Sequence, residues 1–63
     1  MQGVVKWFDN NKGFGFVLGD DGQEYFLHAS KLPEFAEPKE NDRVEFVPQT
    51  TIKGRQAFDA ELI

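Results

Sequence analysis

Between two segments that alternate large apolar side chains with small or polar ones stands Gly19-Asp20-Asp21-Gly22, with a glycine at each end. Glycine takes positive φ without the steric cost other residues meet, so such a run reverses the chain tightly. The segments it joins, residues 13–18 and 23–28, then lie side by side as an antiparallel β-hairpin, and this pairing constrains what the rest of the chain can build. Successive side chains of a strand point to opposite faces. Phe14 and Phe16 therefore share one face with Val17 on the other, while Phe26 and His28 share a face opposite Tyr25 and Leu27. Three phenylalanines and a histidine can gather on one side of the hairpin.

Three further segments read as strands. Residues 3–8 are rich in valine and aromatics and are stopped by Asp9-Asn10-Asn11, whose side chains favour turns. In residues 43–48, Val44 and Phe46 alternate with Arg43 and Glu45; in residues 55–62, Phe58, Ala60 and Leu62 alternate with Asp59 and Glu61. Residues 30–42, acidic and interrupted by Pro33 and Pro38, form a connection with one helical turn near Ser30, and residues 49–54 read as a loop. No helical period competes. An all-β fold follows, and five antiparallel strands with a long break after the third close best as a Greek-key barrel, because closure removes unpaired edges. The expected inward set is Val5, Val17, Leu27, Leu32, Val44, Phe46, Phe58, Ala60 and Leu62.

A chain of 63 residues is one small domain, burying about 60% of the surface its unfolded form exposes. It has no cysteine and one histidine, so neither a disulfide framework nor a usual zinc ligand set is available, and no metal or cofactor is expected. No apolar stretch approaches the roughly 20 residues a bilayer span needs, and the start lacks a secretory pattern; the expectation is a cytoplasmic monomer without a membrane partner. Gly13 and Gly15 fall within a strand and no Gly-Lys-Ser/Thr ending follows, which excludes a phosphate loop. Ser30 stands two residues from His28, but no acid is placed to orient the imidazole as a triad requires, so catalysis is not expected.

Two readings of the aromatic face compete. Hydrophobic periodicity alone accommodates Phe14 and Phe16 as core residues, with Gly13 and Gly15 toward solvent. Against this, adding Phe14, Phe16 and Phe26 to Phe46 and Phe58 would crowd so small a barrel with rings, and Lys12 and His28 are polar neighbours that suit a wet face. Turned outward and joined by Trp7, with Lys6 and Lys12 beside it, the patch offers π-faces to bases and ammonium groups to phosphates, the chemistry of a single-stranded nucleic-acid platform. The net charge of −4 argues the other way, since nucleic-acid binders are normally basic. The acids, however, cluster at the turn (Asp20, Asp21, Glu24) and in the connection (Glu34, Glu37, Glu40, Asp42), while Lys6, Lys12, Lys53 and Arg55 lie in or beside strands. A weakly cationic face on an acidic protein is left, on which stacking carries most of the affinity.

Val5-Lys6-Trp7-Phe8, Lys12-Gly13-Phe14-Gly15-Phe16-Val17 and Tyr25-Phe26-Leu27-His28-Ala29-Ser30 resemble the motifs of the cold-shock domain family, the last two being its ribonucleoprotein motifs. Order and spacing match over essentially the whole chain, residues 1–63. The resemblance implies a five-stranded oligonucleotide/oligosaccharide-binding barrel that holds single-stranded RNA or single-stranded DNA by stacking, with no catalytic step. Carried over by position, Trp7, Phe14, Phe16, Phe26 and His28 correspond to stacking groups and Lys6 and Lys12 to basic contacts. Phe35 matches an aromatic of the loop after the third strand, Lys53 a basic position of the last long loop, and Arg55 replaces a common proline. Two departures lower the expected affinity: Ala29 stands where a ring is frequent, and Asp9 where asparagine is. The rival class is a protein-interaction barrel that receives a peptide or partner domain on its aromatic face.

Overall fold

The computed structural model of the chain describes residues 1–63. Its elements are β1 (Gln2–Asp9), β2 (Phe14–Gly19), β3 (Glu24–His28), a 3-10 turn (Ala29–Lys31), β4 (Arg43–Thr51) and β5 (Gly54–Leu62). The strands close into a barrel in the order β1-β2-β3-β5-β4, with β4 returning to β1. Every pairing is antiparallel except that of β3 with β5, which is parallel and rests on the single pair Phe26↔Gln56. The long excursion over residues 30–42 makes this closure possible, carrying the chain from β3 across the barrel to β4.

The hairpin forms as its turn residues require. Gly22 takes φ +83° and its N–H donates to Gly19 O at 2.9 Å, while Asp21 Oδ1 accepts the Gln23 N–H at 3.0 Å. Asp21 Oδ2 also accepts the Tyr25 hydroxyl at 2.7 Å. That bond, then the Gln23 N–H, holds the Asp21 carboxyl below its ordinary value of 3.8, and the same bond raises the Tyr25 hydroxyl above 10.0. At the other end of β2, Asp9 Oδ1 accepts the N–H groups of Asn11 and Lys12 at 2.9 and 3.0 Å and so fixes the β1–β2 turn.

Val5, Val17, Leu27, Val44, Phe46 and Ala60 are buried as expected, with Leu32 and Leu62 packed against them from the margin. Phe58 is a correction. Pairing runs from Glu45↔Glu61 to Val47↔Phe58, two steps on β4 against three on β5, so β5 carries an extra residue. Asp59, at φ +49°, occupies that bulge. The phase of β5 reverses there: Ala60 faces the core on one side of it and Ala57 on the other, and Phe58 is turned outward beneath the Lys31 ammonium, 4.4 Å from its ring centroid. Tyr25 completes the core, its ring 5.1 Å from that of Phe46.

β4 also runs further than its alternation suggests. It continues through Thr51, which pairs with Gly54, so the supposed loop at 49–54 reduces to a two-residue reversal at Ile52-Lys53. Thr51 Oγ1 accepts the Lys53 N–H at 3.1 Å and donates to Gly54 O at 3.2 Å. No helix is long and apolar enough to cross a membrane.

Candidate nucleic-acid interface

Strict alternation from the buried Val5 would send Trp7 into the core. A second bulge prevents it. Pairing passes from Val5↔Val17 to Trp7↔Phe16, two residues on β1 against one on β2, which makes Lys6 the extra residue and swings Trp7 to the outer face. Gly15 makes this possible. A Cβ there would lie 2.2 Å from Trp7 O and 2.6 Å from Phe8 Cα, so any side chain would push β1 off β2. With no side chain at Gly15, Phe8 takes its place against the core.

The outward residues then align across the strands. Trp7, Phe16 and Phe26 form one row by direct pairing, and Phe14 and His28 a second. Ring centroids are 5.7 Å apart for Trp7–Phe16 and for Phe16–Phe26, 5.9 Å for Trp7–Phe14 and for Phe14–Phe26, and 6.4 Å for Phe26–His28. These five rings form one continuous patch outside the barrel. Trp7 is 43% exposed, His28 is exposed, and the three phenylalanines are half-buried, largely against one another. Of the two readings of the hairpin, the outward one holds.

His28 is oriented by the 3-10 turn it precedes. Its Nδ1 accepts the Ser30 N–H at 3.1 Å and lies 2.9 Å from Ser30 Oγ. Because Nδ1 accepts, the neutral ring carries its proton on Nε2, leaving that N–H to donate outward. Serine and imidazole are thus in contact without an orienting acid, and no group of three or more His, Asp or Glu side chains could hold a metal ion.

A groove of about 600 Å³ runs beside the patch, lined by Phe16, Phe26, His28, Glu24, Lys53, Arg55 and Gln56. It joins the β4–β5 reversal to the rings and brings two cations to their edge. The remaining site residues are less simply placed. Lys6 is tied to Glu24, Nζ to Oε2 at 2.7 Å with both side chains about half exposed, a pair worth roughly 0–1 kcal/mol that a phosphate can displace. Lys12 is exposed and has no ion-pair partner. Phe35 is 90% exposed at φ +70°, in ring contact with none of the five. Gln56 was not singled out by sequence; only its pairing with Phe26 places it in the groove.

A closed five-stranded barrel with a continuous aromatic patch on β1–β3 is of the oligonucleotide-binding type. The family model described as the 'Cold-shock' DNA-binding domain matches residues 1–62, and the chain belongs to this non-enzymatic family. It is 42% identical to a cold shock-like protein of Thermotoga maritima, over 100% of this chain and 98% of that one. It is 47% identical to the major cold shock protein of Micrococcus luteus, over 87% of each chain. Among solved structures, Drosophila Unr CSD456 superposes with a TM-score of 0.80 at 26% identity, over 98% of this chain and 26% of that one.

Proposed function

We propose that the protein binds single-stranded RNA and single-stranded DNA by stacking bases on Trp7, Phe14, Phe16, Phe26 and His28, with Lys6, Lys12, Lys53 and Arg55 meeting the phosphates and Phe35 adding a ring from the β3–β4 connection. The observation that carries this reading is the continuous patch of five outward rings with Lys53 and Arg55 at its edge. Each stacked base contributes about 1–3 kcal/mol, offset in part by ordering the strand. A protein that holds only the open strand lowers the free energy of opening, so in the cytoplasm it acts as a passive RNA chaperone, working as a monomer without a cofactor.

Titration against single-stranded RNA, single-stranded DNA and duplex at two salt concentrations tests this. About three phosphate contacts give a log–log salt slope of about −2 on single strands, whereas a slope near −6 would assign the affinity to charge instead of stacking. Opening of an RNA hairpin in proportion to bound protein, without ATP, tests the chaperone role. Equal binding to duplex would refute the reading, and binding to no strand at all would refute it and favour a protein partner on the aromatic face.

A further inference from the structure

The outer surface continues past His28. β3 and β5 run parallel through the single pair Phe26↔Gln56; two residues beyond it on β3 stands His28, the last residue of that strand, and two residues beyond it on β5 stands Phe58, turned outside the core as well. Phe58 in turn pairs with the exposed Val47 of β4. Phe58 is half-buried, like Phe14, Phe16 and Phe26, and stands outside the core. It lines a second groove, of about 510 Å³, with Ser30 and Lys31. This groove adjoins the first, because the contacting pair His28 and Ser30 contributes one residue to each.

We infer that Phe58 and Lys31 form a further nucleotide subsite, in which a base leaving the His28 end of the aromatic patch stacks on the Phe58 ring and Lys31 takes its phosphate. The inference rests on the single-strand reading above. In the free protein the Lys31 ammonium covers the ring and has no carboxylate partner. An ammonium over a partly exposed ring is held more weakly than a stacked base. Lys31 is carried on a flexible stem, so an arriving base displaces it from the ring and frees it for the phosphate on the same side. Asp59 and Glu61 also line the groove and disfavour a phosphate anywhere but beside Lys31. The subsite therefore adds stacking and at most one phosphate contact.

The test is a length series of oligothymidine, from about four to about ten nucleotides, titrated into the full chain and read by Trp7 fluorescence. Longer strands bind in more registers, which raises the affinity of every variant alike, so the wild-type to variant ratio is the measured quantity. Phe58→Ala is expected to match the wild type on the shortest strands that saturate the Trp7 signal and to fall about fivefold or more behind on the longer ones. Phe58→Leu, which keeps most of the volume but not the π-face, should show the same loss and decides the matter if Phe58→Ala does not fold. Lys31→Gln should lower the salt slope on long strands by about 0.7 and leave short strands unchanged. A ratio near one at every length for both Phe58 variants overturns the subsite. Failure of the wild type to bind even short strands would overturn the underlying reading instead.

Discussion

Ala29→Phe restores a ring where the family often has one, and the structure sets what it should do. Ala29 is exposed at the start of a 3-10 turn that buries none of its residues. Its N–H donates to Gly13 O at 2.8 Å, and a Cβ built on Gly13 would lie 3.5 Å from the Ala29 Cβ. A side chain at 29 thus starts over the corner that leads into Phe14, and Phe14 pairs with His28. A phenyl ring there extends the patch at its β2 edge without entering the core. Stacking one more base contributes about 1–3 kcal/mol, and holding the new ring and one more nucleotide takes back about 0.5–1.5 kcal/mol. The net, about 1 kcal/mol, is about fivefold tighter binding to a pyrimidine-rich strand. No charge is added, so the salt slope should not change, and urea melting should move by less than about 0.5 kcal/mol. Titration by Trp7 quenching at two salt concentrations, with melting alongside, measures all three. Tightening below about twofold in a variant of unchanged stability would refute the placement of residue 29 beside the stacking face, and a steeper slope would refute stacking as the source.

Asp9→Asn should tighten single-strand binding severalfold at low salt, because it removes a negative charge near Lys12 while the amide carbonyl still accepts the Asn11 and Lys12 N–H groups; weaker binding in the same titration would contradict this. Gly15→Ala forces a Cβ into the β1 backbone at Trp7 O and Phe8 Cα. It should cost about 3 kcal/mol or more of the roughly 3–9 kcal/mol that a domain this size holds. Gly22→Ala, with φ +83° but no atom within 4 Å, should cost only about 1 kcal/mol, and equal melting shifts for the two would be the wrong result. Asp21 has a lowered folded-state pKa, so its hydrogen bonds to Tyr25 and Gln23 stabilise the fold above the unfolded value of 3.8, and the contribution is lost as pH falls through the folded value. The stability gap between the wild type and Asp21→Asn in urea should therefore be full at pH 6 and shrink below about pH 4; a gap independent of pH would count against that network.

The hairpin, the strand count, the long connection and most of the core were legible in the sequence because they rest on turn residues and two-residue alternation. What alternation cannot supply is where its own phase slips. Nothing in Val5-Lys6-Trp7 marks Lys6 as an extra residue, yet the bulge there decides whether Trp7 faces solvent or core. Trp7 was set on the outer face as a ring that completes the aromatic patch, not by periodicity, which carried on from Val5 would have turned it inward. In β5 no such guide applied. Phe58, Ala60 and Leu62 read as one inward face, and Asp59 reads as an ordinary outward residue, although aspartate tolerates the left-handed backbone the bulge uses. The expected inward set omits Tyr25 and Ala57: Tyr25 shares the face of Leu27 and enters the core with its hydroxyl satisfied by Asp21, while Ala57 comes inward because the bulge reverses the phase of β5. The Lys6–Glu24 pair is likewise invisible from spacing, since it joins strands 18 residues apart in sequence.

Trp7 reports most directly on whether these rings receive bases, since it is 43% exposed with Phe14 and Phe16 at 5.9 and 5.7 Å. Short oligothymidine at low salt should quench its emission saturably at one strand per protein, while duplex DNA of the same length should leave it nearly unchanged. Emission that responds to neither, or to both alike, would contradict the account.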